Sequence, residues 1–223
     1  MGAYFSIEFL KFFRDLEKNN HREWFHNHRK TYEEEVRKPF LTFVTDVGRA
    51  IEKQGVRLED DPSRMVGRIN RDIRFSPDKS PYNLYMTAYF SETGSKDKTR
   101  PGFFLRFGAK NAGFMAGCYN PDKDQLMSIR RAIAASPASF KKIARNSAAL
   151  RDFGDLMGES NKRIPSEFAD LALKEPLIAR KQFYMIKEMD ADLILSPELL
   201  KKVMQLWKVA RPLNQFLEKA LQS

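Results

Sequence analysis

Hydrophobic positions at the start of the chain recur with helical spacing. Phe9, Leu10, Phe12, Phe13 and Leu16 form one stripe, with Ser6 placed to cap the helix. Asn19 suits a left-handed stop after it. Asn20, with Glu23 three residues on, reads as a capping box opening a second helix. Its apolar spacing runs through Phe25, His28, Tyr32, Val36, Phe40, Phe43, Val44, Val47 and Ile51. Pro39 is predicted to kink or split this helix, and Gln54-Gly55 to end it. Asp60 to Ser63 reads as a loop.

The period then changes from helical to alternating. Gly67–Phe75 reads as a strand with Ile69, Arg71, Ile73 and Phe75 on one face and Arg68, Asn70, Asp72 and Arg74 on the other. Leu84–Ser91, Gly102–Gly108 and Phe114–Tyr119 read as three more strands, and Gln182–Lys187 as a further one. Glu92–Pro101 is polar and predicted to be a mobile loop, and Lys110–Gly113 a hairpin turn. Gly113 and Gly117 mark bulges or places of close backbone approach. Asn120-Pro121 and Ser136-Pro137 are predicted helix starts, and Phe140–Lys174 reads as broken helix. Ser196-Pro197-Glu198 caps a long last helix that turns Leu200, Val203, Trp207, Leu213, Phe216 and Leu217 inward, with a kink at Pro212. The pattern predicts an α+β fold with a central antiparallel sheet of four or more strands, flanked by N-terminal and C-terminal helices. One domain over residues 1–223 is expected, with a helical part at 1–63, a basic sheet-containing part at 64–195 and a C-terminal helix at 196–223.

Composition allows a sizeable core: 42% of residues are hydrophobic and 18 are Phe. A single cysteine, Cys118, excludes a disulfide framework and suits a reducing compartment, so a cytoplasmic location is expected. No apolar run approaches the ~20 residues of a membrane span, and the opening stretch, interrupted by Glu8 and Lys11, does not read as a signal peptide. The net charge of +10 is concentrated. Residues 1–63 hold 11 basic against 12 acidic residues, residues 64–181 hold 22 against 12, and residues 182–223 hold 6 against 5. A positive face on one part of the molecule attracts nucleic acid, phosphorylated metabolites or acidic lipid.

That charge is densest at Arg64–Tyr82. Arg64, Arg68, Arg71, Arg74 and Lys79 are offset there only by Asp72 and Asp78. On a strand, side chains two apart lie roughly 6.5–7 Å from each other, so Asp72 would orient Arg74 and Arg68. Guanidinium forks bind phosphate or carboxylate in a bidentate way; the same alternation also describes a salt-bridged outer sheet face. Arg71, on the apolar face, must meet an internal carboxylate or line a cavity that takes one from a ligand. Pro77 and Pro81 stiffen the turn, which carries Lys79 and opens onto Tyr82.

The string RINRDIRFSPDKSPY resembles the signature of a bacterial family, domain of unknown function 2461, which runs roughly R-x-x-R-D-x-R-F-S-x-D-K-x-P-Y. It falls here on Arg68, Arg71, Asp72, Arg74, Phe75, Ser76, Asp78, Lys79, Pro81 and Tyr82. Asn19–Phe25 (Asn-Asn-x-x-Glu-Trp-Phe) and Lys162–Pro165 are similar to further segments of that family. Gly113–Tyr119 departs from it, with Cys118 in a stretch expected to be rich in Gly and Trp. The resemblance implies a choice of residues and no reaction.

No phosphate-binding glycine loop, dinucleotide fingerprint or nucleophile elbow is present. His26 and His28 diverge on a helix, so no metal site is expected of them. An acid or base would have to be Asp72, Asp78, Glu23 or Tyr82. Three readings stand. The first is a pocket for a small phosphate- or carboxylate-bearing ligand held by Arg68, Arg71, Arg74, Lys79 and Tyr82, with or without hydrolysis or transfer. The second is a nucleic-acid-binding module using a basic sheet face. The third is a structural or interaction protein whose arginines are satisfied internally. Neither a cofactor nor an oligomeric state follows from the sequence.

Overall fold

In chain order, the computed structural model, which describes residues 2–94, 97 and 99–222, starts with α1 (Ile7–Lys18). Ser6 caps it, its side chain accepting from the Glu8 N–H, and the five predicted apolar positions are all buried. Asn19 does not turn left-handed: its φ is −133°, and its amide donates to the Asp15 carbonyl. The next helix, α2 (Arg22–Asn27), is capped by His21 and not by Asn20. Asn20 is occupied elsewhere, by the backbone of Tyr82.

The predicted long second helix is broken. After α2 and a turn at His28 come α3 (Arg29–Thr31), a π-helical turn over Tyr32–Arg37, and α4 (Lys38–Glu52). Pro39, in the first turn of α4, has no N–H to give the carbonyl four residues back. The Lys38 N–H instead reaches the Glu33 carbonyl, five residues back, and the helix widens there. Gly55, at φ +80°, follows the end of α4. A short α5 (Pro62–Met65) replaces part of the predicted loop.

The basic segment is not a strand of the sheet, as the alternation had suggested. It is an extended run that makes isolated bridges, Val66 to Ala88 and Asn70 to Tyr82. Its backbone doubles back on itself: Arg71 N–H donates to the Pro81 carbonyl at 2.9 Å, and Asn83 N–H to the Ile69 carbonyl at 2.7 Å. Pro77 and Pro81 cannot donate, so no continuous ladder forms. Ile69 is buried as predicted, but Phe75 is 93% exposed and not on an apolar face.

The sheet is antiparallel and runs in the order β1 (Tyr85–Phe90), β2 (Gly102–Gly108), β3 (Asn111–Cys118), β4 (Phe183–Asp190). With helices before and after it, the fold is α+β. The β2–β3 turn is tighter than predicted, using only Ala109 and Lys110 between the strands. The predicted mobile loop Glu92–Pro101 includes Ser95, Lys96 and Lys98, which lie outside the described residues.

After the β3 strand come α6 (Lys123–Ala135), α7 (Pro137–Ala144), α8 (Ser147–Phe153) and α9 (Ala169–Lys174), and α10 (Leu199–Ala220) follows β4. The cap of α6 is Asp122, two residues beyond Asn120, because Asp122 and Gln125 bond reciprocally in a capping box. In α10, Leu199 is fully buried and Leu200 only half-buried.

Two compact units divide the chain. One comprises residues 1–95, 104–114 and 188–204. Its core is aromatic: Phe5 packs against Phe43 at 5.6 Å and Phe107 at 6.0 Å, and Phe107 against Phe114 at 5.9 Å. The other comprises residues 96–103, 115–187 and 205–223. Phe140 there packs on Phe216 at 5.3 Å and Phe183 at 6.2 Å. Buried Arg130 donates to the carbonyl of Ile178, and burial lowers its pKa. Burial also pushes the Cys118 thiol up to about 12, so it is a packed side chain and not a thiolate.

Candidate functional site

The first unit holds an open cleft of about 960 Å³. One wall is helical, with Arg22, Glu23, Phe25 and His26 from α2, Arg29 from α3, Tyr32, Glu33 and Arg37 from the π-turn, and Leu41 from α4. The facing wall is the extended run Val66–Asn70, and Ser63, Tyr82 and Met86 complete the lining. The helical wall is built by spacing. Arg22, His26 and Arg29 are four and three residues apart and share a face, while Phe25 and Tyr32 turn their rings to each other at 5.1 Å.

Tyr82 is fixed twice. Its ring stacks on Phe25 at 4.1 Å, and its backbone is held by both ends of the Asn20 amide. Its hydroxyl has no hydrogen-bond partner among the described residues. Tyr32, almost fully buried, has its hydroxyl raised to about 12 by desolvation.

Charge in the cleft is unevenly matched. Arg37 pairs with Glu33 at 3.1 Å. Arg22, Arg29 and Glu23 have no side-chain partner among the described residues, and Arg68 makes no side-chain hydrogen bond or ion pair there, although its charge helps to lower the Asp72 carboxyl. Three guanidinium groups thus face one cleft without a local carboxylate bonded to any of them.

The rest of the predicted anion site lies outside the cleft, in the turn, and is bonded to itself. Arg71 donates to the carboxylate of Asp78, to Ser76 Oγ at 3.3 Å and to the Ser80 carbonyl at 3.3 Å. Arg74 makes a two-pronged bond to Asp72, Nε to Oδ1 at 2.9 Å and Nη2 to Oδ2 at 2.7 Å. Lys79 Nζ donates to the Ile73 carbonyl at 3.0 Å. The bonds from Arg74 hold the Asp72 carboxyl down at about 2 and raise the Arg74 guanidinium in turn. Asp78 is held below the usual carboxylate range, first by its bonds from Ser80 and then by Arg71.

Of the residues singled out in the sequence, Arg68, Tyr82 and Glu23 therefore meet in the cleft, while Arg71, Asp72, Arg74, Asp78 and Lys79 do not line it. The carboxylate that Arg71 required is Asp78. Sequence reasoning missed Arg22, His26, Arg29 and Arg37. Their signal in the sequence is the polar face of the second helix, beside its apolar stripe. His28 turns away from the cleft's lining and stacks on Trp24 at 4.0 Å. Among the described residues, no group of three or more His, Cys, Asp or Glu could hold a metal ion. No helix among them is long and apolar enough to cross a membrane.

Compared with known families, residues 8–216 match the one described as Conserved hypothetical protein (DUF2461). The chain belongs to the DUF2461 family. The match spans the helical wall of the cleft, the basic turn and the whole sheet, so both sides of the site of this DUF2461 protein lie within it. No curated protein and no solved structure matches the chain.

Proposed function

We propose that this DUF2461 protein binds a small phosphate- or carboxylate-bearing ligand in the cleft between α2–α4 and the extended run Val66–Asn70. The observation that carries the reading is the set of three arginines, Arg22, Arg29 and Arg68, that line one cleft with no side-chain hydrogen bond or ion pair among the described residues. Guanidinium groups bonded to no carboxylate, in a cleft that also offers apolar surface, are the usual equipment for taking an anion from a ligand. Arg71, Arg74 and Lys79 play a different part, because the turn already uses their donors. They set the shape of the loop that carries Arg68 and Tyr82. Glu23 is the cleft carboxylate left over, and it is the group that could accept a hydrogen bond or a proton from a ligand hydroxyl.

A thermal-shift screen against phosphate, sugar phosphates, nucleotides and dicarboxylates tests this. A ligand at 100 times its Kd stabilises the native state by about 2.7 kcal/mol, which for a chain of this size raises Tm by roughly 5–10 °C. The shift is expected to vanish in Arg68→Ala and Arg22→Ala and to persist in Arg74→Ala. A screen in which no anion raises Tm, or in which both cleft variants respond like wild type, sinks the reading.

A further inference from the structure

The turn beyond the cleft ends in a feature that anion capture does not use. Phe75 is 93% exposed at its tip. A lone exposed apolar side chain is ordinary on a protein surface. The mounting of this one is not. Arg71 ties Ser76, Asp78 and Ser80 together behind it, Asp72 grips Arg74 on one side, and Lys79 bonds back to the Ile73 carbonyl on the other. The ring is thus presented on a stiff loop, with the Arg74 guanidinium carbon 5.8 Å from its centroid. A rigid mount removes ordering cost on contact, which favours binding through the tip.

We propose that Phe75 is a stacking platform for a base of single-stranded nucleic acid, with the net positive charge of its turn attracting the strand at longer range. The chemistry of the tip favours this partner. An aromatic face flanked by cations is how sequence-tolerant strand binding works, each stacked base contributing on its own. Between Arg68 and Lys79 there are four cations against two carboxylates, and both carboxylates are already engaged by arginines of the turn. A membrane contact would rest on one inserted ring alone, whereas a single stacked base already contributes measurably.

The test is fluorescence anisotropy with a labelled ten-nucleotide oligothymidine, titrated at several salt concentrations. Wild type is expected to bind with an affinity that falls with salt. Phe75→Ala should weaken binding about 5- to 100-fold without changing the salt slope, and Phe75→Trp should restore it. Unchanged melting of both variants, and an unchanged response to any cleft ligand, would separate this platform from the cleft. Equal binding by Phe75→Ala overturns the proposal, as does tighter binding to duplex than to the single strand. So does an absence of binding at low salt, or Phe75-dependent sedimentation with vesicles containing phosphatidylserine when the oligonucleotide does not bind.

Discussion

Asn20 grips the backbone of Tyr82 from both sides. Its Nδ2 donates to the Tyr82 carbonyl at 2.9 Å, and its Oδ1 accepts from the Tyr82 N–H at 3.1 Å, across 62 residues of chain. An amide is the side chain that can do both. This contact ties the end of the basic turn to the approach to α2, and so sets the two walls of the cleft against each other.

Asn20→Ala is therefore expected to cost about 1–3 kcal/mol, since two partly buried bonds worth about 1 kcal/mol each are lost. Asn20→Asp keeps the acceptor and sets a carboxylate against the Tyr82 carbonyl, so it should not rescue. Urea denaturation of the three proteins measures this. A cost for Asn20→Ala below a few tenths of a kcal/mol would show that the turn is held by other contacts.

Arg71 should matter more than the carboxylate it meets. Its side chain is 24% exposed, while that of Asp78 is 61% exposed, so solvent screens the ion pair and it contributes little by itself. Arg71 also holds Ser76 and the Ser80 carbonyl. We expect Arg71→Ala to destabilise by about 1–3 kcal/mol and Asp78→Asn, which keeps an acceptor for the Ser80 N–H, by clearly less. Equal costs in a denaturation series would place the energy in the charge pair and contradict the geometry.

The Asp72 carboxyl is depressed to about 2 by Arg74, against an ordinary aspartate value of about 3.9. A depressed carboxylate contributes stability that is fully present above its unfolded pKa and is lost as pH falls through the folded one. The grip on Arg74 should thus weaken between about pH 4 and pH 2. Carbon-detected NMR of the aspartate carboxyls follows it directly. In Arg74→Ala the Asp72 carboxyl should titrate near the ordinary value. A wild-type midpoint near 4 would mean that the fork seen here does not persist in solution.

The helices were legible because their signals are local. The α1 stripe and its Ser6 cap, the Ser136-Pro137 start of α7 and the Ser196 bond to Glu198 all depend on residues within a turn of each other. Several failures were local, as where Asp122 and not Asn120 caps α6, and others were those in which a distant residue intervened. Asn20 carries every local mark of a cap, yet Tyr82, 62 residues on, takes its amide. Gly67–Phe75 alternates like a strand, but two prolines without donors leave it as bridges and a self-bonded turn. The cleft suffered in the same way. Arg68 and Tyr82 were visible in the basic motif, whereas Arg22 and Arg29 acquire meaning only once the chain folds that motif against the polar face of α2–α3.

Gly117 shows how closely the backbone can approach itself in the second unit. Its φ is +111°, and a Cβ added there would stand 2.1 Å from the Phe183 carbonyl oxygen and 2.7 Å from Tyr184 Cα. Both obstacles are backbone of β4, which cannot rotate aside. The conformation itself is also unfavourable for any L side chain. Gly117→Ala is expected to cost more than about 2 kcal/mol, from strain added to overpacking. Gly113 supplies the contrast: its added Cβ would meet Arg106 Nε at 3.3 Å, a mobile side chain, at a backbone φ that other residues adopt. Gly113→Ala should stay within about 1 kcal/mol of wild type. Thermal melts of the two variants decide between backbone approach and bulging as the reason for these glycines. If Gly117→Ala melts like wild type, strand β4 does not sit against Gly117 as described.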